Sequence, residues 1–197
     1  RVIPGTHLAA YGHGDWNDSL QPADPAMRER LVSAWTVTLH HETLTMLAGA
    51  LARRGHPASA GLRDEAAQVR AEFDHWLFAD GVLAGFAYFR EDGKVDHLLH
   101  PRDGVTGIHY RLLPMIHAIL ADLLAPDVAA AHVDLMREHL LGSDGARLFD
   151  RPPAYRGGPM RQFQRAESSS YFGREIGLMY MHAHLRYAEA MAHIGEA

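Results

Sequence analysis

The chain has no cysteine and a single lysine, Lys94, among its 197 residues. The missing thiols exclude a disulfide framework, a thiolate metal site and a cysteine nucleophile, and they favour a reducing compartment. No apolar run approaches the roughly 18 residues that a membrane-crossing helix needs, and the opening Arg1-Val2-Ile3-Pro4-Gly5 lacks the layout of a signal peptide. A cytoplasmic location without a membrane partner is the expectation. The net charge of -5 and the scattered basic residues argue against nucleic acid as a partner. Because the basic residues are nearly all arginine, a compositional bias inflates that residue everywhere, and a lone arginine is weak evidence of an anion site.

What is present is enough apolar material, 47% of residues, for one domain with a real core. Leu31, Trp35, Leu39, Leu44, Leu47 and Leu51 recur at three- and four-residue steps and predict a helix from Pro25 to Arg54, stopped by Gly55 and Pro57. Leu62, Ala66, Val69, Phe73 and Leu77 predict a second helix, antiparallel to the first because the connection is short. Between Val82 and Leu99 two apolar stretches flank Glu91-Asp92-Gly93, a turn sequence that predicts one small β-hairpin. Helical spacing resumes at Leu112, breaks at Pro126 and continues to Gly142. The Pro- and Gly-rich stretch from Ser143 to Arg165 reads as a long loop of the kind that borders clefts. The last helix is marked by Ile176, Tyr180, Ala183, Tyr187, Met191 and Ile194. The fold class is mainly α, either a helical bundle or part of a barrel of concentric helices.

Tyr11 to Leu20 crowds two carboxylates, an amide and an indole into one glycine-flanked loop. Trp16 offers an apolar face to a sugar ring, and Asp15, Asn17 and Asp18 offer directional hydrogen bonds to hydroxyls. An Asp/Asn-rich turn around a buried tryptophan accounts for the same composition. Fifteen histidines raise the question of a metal. The spacing of His40-His41-Glu42 and His182-Ala183-His184 argues against a local site, since helix residues one or two apart do not share a face.

At Gly14-Asp15-Trp16-Asn17-Asp18 the sequence resembles the cellobiose and chitobiose phosphorylases of glycoside hydrolase family 94, which include the phosphorylase-like domain of cyclic β-1,2-glucan synthases. A weaker similarity covers Leu148 to Pro153 and the stretch from Glu167 to Met191. The resemblance implies that residues 1–197 are a C-terminal portion of an (α/α)6-barrel catalytic domain, of which about five long helices would be under half. It implies inverting cleavage of a β-glucosidic bond by inorganic phosphate, with a β-linked gluco-oligosaccharide as partner and neither a metal nor an organic cofactor. Asp18 corresponds to the general acid. Asp15, Trp16, Asn17 and Glu167 correspond to sugar-binding positions, and Ser169, Ser170 and Arg174 to the phosphate site.

This sequence departs from the family at Arg174, which stands where a phosphate-binding histidine belongs. Arginine binds phosphate bidentately, so phosphorolysis stays open. A hydrolase or transglycosylase of the same fold also stays open: a hydrolase needs a second carboxylate to activate water, for which Glu167 and Glu175 are candidates, whereas phosphate is itself a nucleophile. The same glutamates read as ordinary acids at a helix start, and the serines as its caps. A non-catalytic carbohydrate-binding fragment is the third reading. A part-barrel would leave helix faces bare, so the expected state is a homo-oligomer or association with the remainder of a parent chain.

Overall fold

The computed structural model describes residues 1–14, 20–153, 155, 157–165 and 179–196. Its described part is mainly helical, with five α-helices: α1 (Ala34–Ala52), α2 (Ala58–Trp76), α3 (Leu112–Leu120), α4 (Pro126–His139) and α5 (Met181–His193). The α1–α2 pair is the predicted helical hairpin, and α1 and α5 both pack on α3. Every side chain of α3 from Leu112 to Ile119 is buried, as an apolar run broken only by His117 and enclosed by neighbours requires.

The expected helix from Pro25 to Arg54 is three elements. Pro25–Glu29 is a 3-10 turn capped by Asp24, whose carboxylate accepts from the Ala26 amide at 2.8 Å. Leu31–Ser33 is a strand, β1, and only Ala34 begins the helix. Leu31 and Trp35 share helical spacing by coincidence; the backbone of 31–33 is engaged by a neighbouring strand, and tertiary pairing overrides local periodicity.

Small sheets are also more numerous than the single expected hairpin. The predicted hairpin exists as β4 (Phe86–Phe89) and β5 (Val95–Leu98), turning through Gly93 at φ 80°. It recruits β1 into an antiparallel sheet ordered β1-β4-β5, with Leu31 opposite Tyr88 and Ser33 opposite Phe86. Two further two-residue pairs are β2 (Phe78–Ala79) with β3 (Val82–Leu83), and β6 (Leu141–Gly142) with β7 (Gly145–Ala146). The last of these occupies the start of the stretch read as a loop from Ser143. Pro126 does not merely break a helix but opens α4 at its first turn, where its missing N–H costs nothing.

In the last helix Ala183, Tyr187 and Met191 form the buried stripe, whereas Tyr180 and Ile194 are both 37% exposed at its two ends. Ile176 lies outside the described residues. No helix among the described residues is long and apolar enough to cross a membrane.

Candidate functional site

The residues assigned to catalysis and binding from sequence, Asp15, Trp16, Asn17 and Asp18 in one stretch and Glu167, Ser169, Ser170 and Arg174 in another, lie outside the described residues, as does Glu175. The residues that border the two stretches are described, and they meet. The Gln164 amide donates to the Gln21 carbonyl at 2.7 Å, and the Ala23 amide donates to the Gln162 carbonyl at 2.9 Å. Pro22 and Phe163 are therefore antiparallel partners. Segments far apart in sequence are joined by a short ladder at the end of one stretch and the start of the other.

The borders converge on Phe86. The Tyr11 ring packs edge-on against Phe86 with centroids 6.0 Å apart, and Phe163 approaches it at 6.1 Å. Tyr11 is fixed in turn by its own backbone, whose amide donates to the Leu31 carbonyl at 2.7 Å, so that the loop leaves from beside β1. On the far side of the loop Leu20 is fully buried in the same core.

The third neighbour of Phe86 is a cation. The guanidinium of Arg111 lies 4.8 Å from the Phe86 centroid, and Arg111 is 1% exposed. Its Nη1 donates to the Ser33 hydroxyl at 3.0 Å and to the Gly85 carbonyl at 3.3 Å. Ser33 stands at the N-cap of α1 and Arg111 at the N-cap of α3, so one contact links the starts of two helices. Gly85 permits the approach: a Cβ there would lie 2.6 Å from Leu99 Cβ and 3.1 Å from Arg111 Cδ. Arg111 also pairs with Phe149 across an isolated bridge, while Arg147 bridges to Met179 at the far border of the second stretch. The segment 147–149 thus ties Arg111 to the point where that stretch ends.

Around this hub the loop before α3 is knotted by Asp103. Its carboxylate accepts from the amides of Leu99, Val105 and Thr106 at 2.7, 2.8 and 2.9 Å, and from the Thr106 hydroxyl. Leu99 is held at φ 53°, a left-handed conformation unusual for a leucine. Asp150, in the similarity region Leu148 to Pro153, accepts at Oδ1 from the amides of His109 and Tyr110 at 2.8 and 3.0 Å. Both carboxylates order the approach to Arg111.

His117 sits under Trp35, edge to face at 5.9 Å. Burial pushes its pKa down to about 4, and the charges of Arg186 and His182 act in the same direction. His117 is therefore neutral near pH 7, with the half-buried guanidinium of Arg186, itself paired with Glu189, at the same corner. Among the described residues no group of three or more His, Asp or Glu comes together to hold a metal. A cavity of about 590 Å³, lined by Ile119, Val133, Arg137 and Ile194 among others, contains none of the bordering residues in its lining.

Sequence reasoning missed Arg111. An arginine in an arginine-rich chain carries no local mark, and the spacing of Ser33, Gly85 and Arg111 makes no motif. The glycine after Ala84 was the available signal, since an apolar strand start rarely contains one without a close backbone or side-chain approach.

No family model matches the chain. Over all 197 of its residues the chain is 40% identical to a protein of Listeria innocua serovar 6a named 1,2-beta-oligoglucan phosphorylase, and it spans 18% of that relative's length.

Proposed function

We propose that this chain is a portion of the catalytic domain of an inverting glycoside phosphorylase that acts on a β-1,2-linked oligoglucan, within an (α/α)6 barrel completed by other parts of a longer protein. The observation that carries the reading is the 40% identity over the whole chain to a protein named for that activity. The ladder from Gln21 to Gln164 supports it, because it brings together the borders of the two stretches that the reaction needs.

In this reading Asp18 donates its carboxyl proton to the glycosidic oxygen. An oxygen of inorganic phosphate attacks the anomeric carbon from the opposite face as the carbon–oxygen bond breaks. The leaving sugar departs with the proton, and the product is a sugar 1-phosphate of inverted configuration. Asp15, Trp16, Asn17 and Glu167 bind the sugar, and Arg174, Ser169 and Ser170 bind the phosphate. One acid suffices because the nucleophile is already charged.

The test is incubation of the full-length protein with β-1,2-linked oligoglucan, with and without inorganic phosphate, followed by analysis of the products. Phosphate-dependent sugar 1-phosphate supports the reading. Reducing sugar released at the same rate without phosphate would replace it with hydrolysis, and the departure at Arg174 would then be its cause.

A further inference from the structure

We propose that Arg111 is the positioning residue of this site, holding the borders of the Asp18 stretch and of the Ser169–Arg174 stretch in one fixed relation through Phe86, Ser33 and Gly85. The proposal rests on the phosphorylase reading only for its effect on turnover; the structural part stands without it.

A guanidinium that is 1% exposed has surrendered nearly all its hydration, and such a group persists in a core only when its surroundings satisfy it. Arg111 is satisfied in part by elements that matter here. Its guanidinium carbon lies over Phe86, the ring against which Tyr11 and Phe163 both pack. Its Nη1 engages Ser33, whose hydroxyl accepts from the arginine and makes no bond to the first-turn amides of α1. Its backbone bridges to Phe149 in the segment whose Arg147 meets Met179. The side chain thus links the start of α3 to the start of α1 and the start of β4, and through Phe86 it is one residue removed from Tyr11 and Phe163 beside the two stretches. Neither lysine nor methionine can reproduce this, since the planar fork both stacks and donates in fixed directions.

The positioning role predicts correlated loosening. In the full-length protein, Arg111→Met is expected to raise amide hydrogen exchange at least tenfold in the windows 20–24 and 160–165 together, leaving α2 unchanged. Turnover of β-1,2-linked oligoglucan with phosphate is expected to fall about a hundredfold in kcat with the KM for phosphate altered less than threefold, and Arg111→Lys is expected to recover no more than a tenth of the loss. Should Arg111→Met fail to fold, Ser33→Ala removes one of the two Nη1 contacts alone and is expected to give the same exchange pattern at three- to tenfold. Exchange that rises in one window only, or uniformly along the chain, overturns the proposal, as does full kcat in a folded Arg111→Met protein. If the unsubstituted protein makes no sugar 1-phosphate, the phosphorylase reading fails while the exchange pattern still decides the role of Arg111.

Discussion

The amide of Gln164 donates to the carbonyl of Gln21 at 2.7 Å, joining two segments that sequence alone could only place side by side by resemblance. The pairing continues at Ala23 and Gln162 and is backed by the buried rings of Phe163 and Phe86. A hydrogen-bonded ladder of this kind has a fixed register, so the bordering residues keep one spacing as long as the core around Phe86 is intact. Consequences for stability and for activity can be tested separately.

Gly85→Ala tests the core of the hub. The added methyl would lie 2.6 Å from Leu99 Cβ, closer than real Cβ contacts allow, and neither Leu99 at φ 53° nor buried Arg111 yields easily. Overpacking of this type costs about 1–3 kcal/mol. Gly61→Ala on the exposed face of α2 has no neighbour within 4 Å and replaces a glycine inside a helix, so it is expected to stabilise by about 0.5–1 kcal/mol. Thermal denaturation of the two variants should move Tm in opposite directions.

Asp103→Asn removes one acceptor oxygen from a buried carboxylate and presents an NH2 group to amides that need acceptors. The loss is expected to be about 1–3 kcal/mol, as for other buried donors left unsatisfied. Urea denaturation would show it as a lowered midpoint at unchanged slope.

Stability should fall as the medium is acidified. His132 accepts the Leu83 amide at Nε2 and donates from Nδ1 to the Val128 carbonyl, and His100 accepts the Arg102 amide at Nδ1 and donates from Nε2 to the Ala79 carbonyl. Each ring is thus wired as a neutral imidazole, and burial lowers the pKa of both, as it does for His117 at about 4. With folded values below the ordinary 6.5, the unfolded chain binds more protons once the pH drops under about 6.5, so stability present above that pH is lost on the way down. One such proton corresponds to a slope of about 1.4 kcal/mol per pH unit. Denaturation midpoints measured from pH 7.5 to 5 should decline steadily, and a flat profile would contradict the neutral wiring.

The 197-residue chain on its own is expected to self-associate. Met46 and Leu47 on α1 are 67% and 46% exposed, and Met181 and Leu185 on α5 are 58% and 61% exposed, at positions where a single layer of helices would ordinarily be covered. Light scattering should report species larger than a monomer, and Met46→Glu with Leu185→Glu should reduce them. A monodisperse monomer at high concentration would show that these faces need no cover.

Much of this fold was legible because periodic apolar residues with clear stops, as in α2 between Pro57 and Leu77, fix a helix locally. Gly93 likewise marked the β4–β5 turn through a backbone angle that glycine adopts freely. Leu31 to Ser33 misled because their helical spacing is real but their hydrogen bonds go to β4, a partner that periodicity cannot see. The residue types around Asp18 suggested a sugar subsite and the role of acid came only through resemblance to a family, and those residues lie outside the described ones. The hub that holds the borders of that stretch was not legible at all, since Arg111, Gly85 and Ser33 become neighbours only after the sheet and α3 have formed.

The most direct measurement is phosphorolysis by the full-length protein carrying Asp18→Asn, on β-1,2-linked oligoglucan with inorganic phosphate. An asparagine is close in size to aspartic acid and has no carboxyl proton to donate, and general acid catalysis typically contributes about 10²–10⁴-fold. Loss of sugar 1-phosphate formation by at least a hundredfold in a variant with unchanged Tm is the predicted result. Wild-type turnover by Asp18→Asn would contradict the assignment of the acid, and with it the phosphorylase mechanism proposed for this chain.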